Sequence, residues 1–133
     1  MYYIKLVMKN IIFKLLEYIY YFSLVILFVL YLFPGSLIGY FLYGNLGQQP
    51  NLIPNSIGTS INHFIYFSYI TILATAIKTR VNNIFTDYKI IIFVAFILEI
   101  LHFIVPNRAF EYYDLLANMF GVIIVLLLKK IIK

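Results

Sequence analysis

Four apolar runs organise the chain, at about residues 11–33, 61–77, 88–105 and 112–128, and ten of the fifteen charged residues lie between or beyond them. A backbone with no water around it must satisfy its own hydrogen bonds, so each run is predicted to be a helix. The first run is long enough, at ~1.5 Å per residue, to cross a hydrocarbon layer of roughly 30 Å. The other three are shorter and imply tilt or a thin local bilayer. The expected fold class is therefore an all-α membrane protein: a four-transmembrane-helix bundle forming one domain over residues 1–133, with no internal repeat and no heptad pattern.

Between Pro34 and Ser60 no residue is charged. The early part, residues 37–43, is aromatic and apolar enough to lie in the interface or dip back into the membrane. Pro50, Pro54 and several glycines mark the rest as loop. The first run has too long an apolar core for a signal peptide and is followed by Phe33-Pro34-Gly35-Ser36, a helix end with a turn. It is expected to be retained. Glu17, one turn after Lys14, reads as a headgroup-level ion-pair partner.

Composition fits this picture, since 64% of the 133 residues are hydrophobic and only 11% are charged. The net charge of +5 is sorted by position. Lys5, Lys9 and Lys14 lie before or in the first turn of the first run, Lys78, Arg80 and Lys89 between the second and third or at the start of the third, and Lys129, Lys130 and Lys133 end the chain. By the positive-inside rule both termini and the middle loop are cytoplasmic, and the uncharged loop and the turn carrying Arg108 face outward. Basic charge sorted onto one side is a topology signal, so no nucleic acid is expected; membrane lipids are the expected partners. The absence of cysteine excludes disulfides and thiolate metal sites.

The scarce polar groups gather in the last third of the chain. Asp114, Asn118 and Gly121 share one face of the fourth run at i, i+4 and i+7, Glu99 and His102 share a face of the third, and His63 opens the second. In the expected topology all of them meet at the outer end. Ionisable groups are costly in hydrocarbon, so such a cluster is a functional candidate. Glu99 can act as an acid or base, or serve as a protonated bridge to His102 or Asn118. Arg108 can cap the turn and pair with Asp114 or Glu111, or hold a phosphate or carboxylate as a fork. His63 can be satisfied by Ser60 or Thr59. Gly121 is expected to let the third and fourth runs approach closely.

These residues resemble a known pattern. Glu99, His102, Pro106, Arg108, Phe110, Asp114, Asn118 and Gly121 follow the spacing E-x-x-Q, P-x-R-x-F and D-x-x-x-N-x-x-G of the VanZ-like family, and His63-Phe64 is similar to its His-Phe at a helix start. The likeness covers about residues 56–128. It departs at Thr59 and Ser60, where the family commonly has Asp-Lys, at His102 in place of glutamine, and at Val125 in place of a second small residue. The second departure argues that position 102 supplies a hydrogen bond. The resemblance implies a small polytopic protein of the bacterial cytoplasmic membrane, from a family whose founding member is linked with teicoplanin resistance.

No cofactor is expected. Glu99-x-x-His102 has the spacing used by di-metal helix bundles, but those need the motif twice and here it occurs once, so no metal is expected either. Two outward helix N-termini and Arg108 favour an anion. The expected function is binding of an envelope lipid, a cell-wall precursor headgroup or a glycopeptide in an outward polar pocket formed by His63, Glu99, Arg108, Asp114 and Asn118. The alternative is a membrane enzyme acting on a lipid-linked substrate by acid/base chemistry.

Overall fold

In the computed structural model, which describes residues 2–50 and 58–132, the order is α1 (Tyr2–Leu32), α2 (Leu37–Tyr43), α3 (Gly58–Ile77), a 3-10 turn (Ile84–Thr86), α4 (Tyr88–Leu101) and α5 (Tyr112–Ile132). Among the described residues there is no strand. Pro54, Ser56 and Lys133 lie outside them, as do the side chains of Lys5 and Thr59. Three helices, α1, α3 and α5, are long and apolar enough to cross a membrane, which makes this a membrane-embedded multi-pass protein.

Two helix bounds differ from expectation for reasons that can be named. α1 starts at Tyr2, nine residues before its apolar run, because apolar patterning marks where lipid would touch, whereas the helix itself needs only residues without a breaker. α4 ends at Leu101, short of the expected Val105. Its 14 residues rise only ~21 Å, less than a hydrocarbon layer of roughly 30 Å. Beyond Leu101 the bonds shorten to the i, i−3 type, from His102 N to Glu99 O and from Ile104 N to Leu101 O. Pro106 then disfavours helical geometry at Val105, and Asn107 turns the chain with φ +58°. The start of α4 is set by Asp87, whose side chain accepts from Lys89 N at 2.9 Å.

The segment expected at the interface is the helix α2. Ser36 caps it, accepting from Gly39 N at 2.9 Å, and Gly44 closes it at φ +67°. Gly39 is required by contact: a Cβ there would sit 1.6 Å from the carbonyl oxygen of Gln48, so the following loop folds back directly onto the helix.

α3 is the central element, packed along α5 and against α1, while α4 lies against α5 and α1. The inward stripes have helical spacing: Tyr20, Leu27 and Tyr31 on α1, Phe67, Ile70, Ala74 and Ile77 on α3, Ile91, Ala95 and Leu98 on α4, and Val122 and Val125 on α5. Followed toward one end of the bundle, each stripe turns polar. His63 lies one turn before Phe67, Glu99 and His102 follow Leu98, and Asp114 and Asn118 precede Val122. That end is where the C-termini of α1 and α4 meet the N-termini of α3 and α5. The lipid-type exterior is equally plain, with Phe22, Phe93, Phe120 and Leu127 all exposed on helix surfaces.

Gly121 packs against α3 rather than α4, correcting the expected pairing. A Cβ at this position would lie 2.6 Å from Phe64 O and 3.0 Å from Ser68 N, and Ser68 Oγ donates to Gly121 O at 3.2 Å. The glycine sits on the α3-facing side of α5, so the small-residue contact joins α3 and α5.

Candidate functional site

Each polar side chain reaches the bundle interior because it occupies a core position of its helix. Glu99 and Asn118 are fully buried, and His102 and Asp114 are 3% exposed. His63 lies 3.4 Å from Asp114 through Nε2 and 3.9 Å from Glu99 Oε2 through Nδ1. His102 Nδ1 meets Glu99 Oε1 at 3.2 Å, and the backbone N–H of Glu111 donates to the same oxygen at 3.2 Å. Ser60 donates to Asp114 Oδ1 at 2.5 Å. Five of the residues singled out by sequence, His63, Glu99, His102, Asp114 and Asn118, therefore form one cluster drawn from α3, from α5 and from α4 and its C-cap.

The sixth, Arg108, is adjacent but bonded differently from expectation. Its guanidinium donates to Leu30 O at 2.6 Å and to Phe33 O at 3.4 Å, so it caps the C-terminal end of α1 where carbonyls have no helical partner. No ion pair to Asp114 or Glu111 is formed. Burial lowers the Arg108 pKa, and the nearby carboxyl groups of Glu99 and Asp114 oppose that shift. A guanidinium stays charged throughout the physiological range even so. Glu111 is pushed up by burial and by the charges of Asp114 and Glu99.

Sequence reasoning missed Tyr31. Its hydroxyl donates to Asn118 Oδ1 at 2.7 Å and lies 2.7 Å from His63 Nδ1, and its ring is stacked on His102 and meets His63 edge-on. Asn118 Nδ2 in turn donates to Ala95 O at 3.4 Å, which orients the amide so that Oδ1 is the atom facing Tyr31. The available signal was the spacing of Tyr20, Ser23, Leu27 and Tyr31 along one face of the first apolar run.

The order of contacts decides one chemical question. The Ser60 hydroxyl is held by Asp114 and not by His63, so the imidazole is not placed to take its proton, and a serine nucleophile of the Ser-His-Asp kind is not assembled.

Beside the cluster lies a pocket of about 110 Å³ between the end of α1, α2 and the start of α3. Arg108, His63, Asn62 and Ser36 supply its polar wall, and Leu27, Leu30, Ile38 and Tyr66 its apolar wall. Asn62 Nδ2 donates to Pro50 O at 2.7 Å and ties the loop over this opening. Of the expected pocket residues only His63 and Arg108 line it; Glu99, Asp114 and Asn118 pack behind His63. No family model, no curated protein and no solved structure matches the chain.

Proposed function

We propose that this is a VanZ-like protein of the bacterial cytoplasmic membrane that binds the polar headgroup of an envelope lipid or cell-wall precursor in the pocket between α1, α2 and α3. The observation that carries the reading is the composition of that pocket: a cationic Arg108 and the amide donor of Asn62 beside the His63 ring at one wall, aliphatic and tyrosine side chains at the other. An amphipathic ligand needs both, since the headgroup takes hydrogen bonds while its chain stays in contact with apolar surface. The spacing from Glu99 to Gly121 supports the family assignment. In this reading the turn at residues 102–105 extends α4 into a fourth crossing, both termini and the loop at 78–89 are cytoplasmic, and the polar end of the bundle faces outward.

Native mass spectrometry of the purified protein tests the binding role. Wild type is expected to retain lipid, and Arg108→Gln combined with Asn62→Leu to lose about tenfold in occupancy, the weight of one or two charge-assisted bonds. Equal lipid content in both proteins removes the proposal. Topology is tested separately in the naturally cysteine-free chain. Single cysteines at Gln48 and Asn107 are expected to react with an impermeant thiol reagent in intact cells and one at Asn83 to stay protected; the opposite pattern inverts the orientation.

A further inference from the structure

The buried cluster behind the pocket has a feature that headgroup binding does not use. One nitrogen of His63 and one carboxylate oxygen from each of Glu99 and Asp114 lie within 4.8 Å of one another. In each of these residues the other polar atom is held from outside: Glu99 Oε1 by His102 and the Glu111 N–H, Asp114 Oδ1 by Ser60, and His63 Nδ1 by Tyr31. The atoms left facing inward are acceptors. Because the Tyr31 hydroxyl donates to Asn118, its oxygen accepts from His63 Nδ1–H, and the neutral imidazole then presents the Nε2 lone pair toward Asp114 Oδ2 at 3.4 Å. Glu99 Oε2, fully buried and 3.9 Å from His63 Nδ1, has no hydrogen-bond partner among the described residues. Protonating Glu99 on Oε1 toward His102 leaves that oxygen equally unpaired. A positive particle between these three atoms satisfies all of them.

We infer that His63, Glu99 and Asp114 form a binding site for a single divalent transition-metal ion of the zinc type. One imidazole and two carboxylates suit such an ion, two buried carboxylates match its charge, and the absence of cysteine rules out softer thiolate coordination. The outside partners are what metal ligands ordinarily carry: His102 and Ser60 orient the carboxylates and Tyr31 fixes the imidazole tautomer. Tetrahedral bonds of about 2.0–2.2 Å place donors ~3.3 Å apart, so the three side chains close by roughly 1 Å on binding. The Glu99-x-x-His102 spacing argued against a metal because the motif is not repeated. The ligand set inferred here is different, taking its histidine from α3 and its second acid from α5, and it does not rest on lipid binding in the neighbouring pocket.

The test uses the full chain in detergent, stripped with chelator, loaded with Zn2+ and desalted. Wild type is expected to keep one zinc per chain by elemental analysis and to melt at a higher temperature with Zn2+ than with EDTA. Glu99→Gln and Asp114→Asn are each expected to weaken binding at least about tenfold, and His102→Gln, outside the ligand set, to retain stoichiometric zinc with about tenfold lower affinity at most. Should a ligand variant fail to fold, X-ray absorption of zinc-loaded wild type decides, with one imidazole and oxygen donors expected. Wild type that holds no zinc, a Glu99→Gln variant that binds as tightly as wild type, or a spectrum without imidazole overturns the inference.

Discussion

Replacing Asn118 by leucine is expected to destabilise the bundle by about 3 kcal/mol, although the side chains are nearly the same size. Asn118 is fully buried on α5 and joins two other helices, accepting from Tyr31 on α1 and donating to Ala95 O on α4. Interhelical hydrogen bonds in a membrane contribute about 0.6 kcal/mol each on average. The larger part of the effect is what remains behind: a buried hydroxyl without its acceptor costs about 1–3 kcal/mol. Tyr31 would then compete for His63 Nδ1, which presents a proton rather than a lone pair in the wild-type arrangement. Adding Tyr31→Phe removes the stranded hydroxyl, so the double variant should be more stable than the two single losses added together, with a coupling of about 1 kcal/mol. Reversible unfolding in mixed detergent micelles measures all three variants. Strict additivity would show that Tyr31 and Asn118 do not act as a pair.

The parts of this site that could be read from sequence were those where a polar residue is rare in its setting. Glu99, Asp114 and Asn118 stand out in apolar runs, and their i, i+3 and i, i+4 spacing places each on the same helix face as its neighbours in the cluster. Tyr31 has no such contrast. It is one of 13 tyrosines in a chain that is 20% aromatic, and only its depth in the bundle distinguishes it from Tyr18, which is 72% exposed. The partner of Arg108 was hidden for a different reason: it bonds backbone carbonyls more than seventy positions away, and carbonyls leave no mark in a sequence. The same holds for the Glu111 N–H on Glu99. Helix existence followed from the apolar runs, and the starts at Tyr88 and Tyr112 were visible in the shift from polar to apolar residues. The early start of α1 was not, because its first turns are charged and helical at once. Nor was the early end of α4, where the tightened turn after Leu101 keeps the apolar pattern while abandoning the helix.

Gly121 connects packing to the site most directly, and Gly121→Val is expected to lower stability by about 3 kcal/mol, at the upper end of what overpacking costs. Even a Cβ would stand 2.6 Å from the Phe64 carbonyl oxygen, and that atom belongs to backbone in the middle of α3 and cannot swing aside. The two helices must therefore separate. α3 carries Ser60 and His63 and α5 carries Asp114 and Asn118, so separation stretches the 2.5 Å bond from Ser60 to Asp114 and the 3.4 Å approach of His63 to Asp114 together. A loss of stability at Gly121 should thus come with a weakened cation site, although Gly121 touches none of its ligands. Gly121→Ala should show the same two effects to a smaller extent, because one carbon needs less displacement than three. Thermal unfolding in detergent gives the first quantity and zinc retention the second. If Gly121→Val melts with wild type, or if it melts early yet holds zinc as tightly, the register of α3 on α5 is not what positions the cluster.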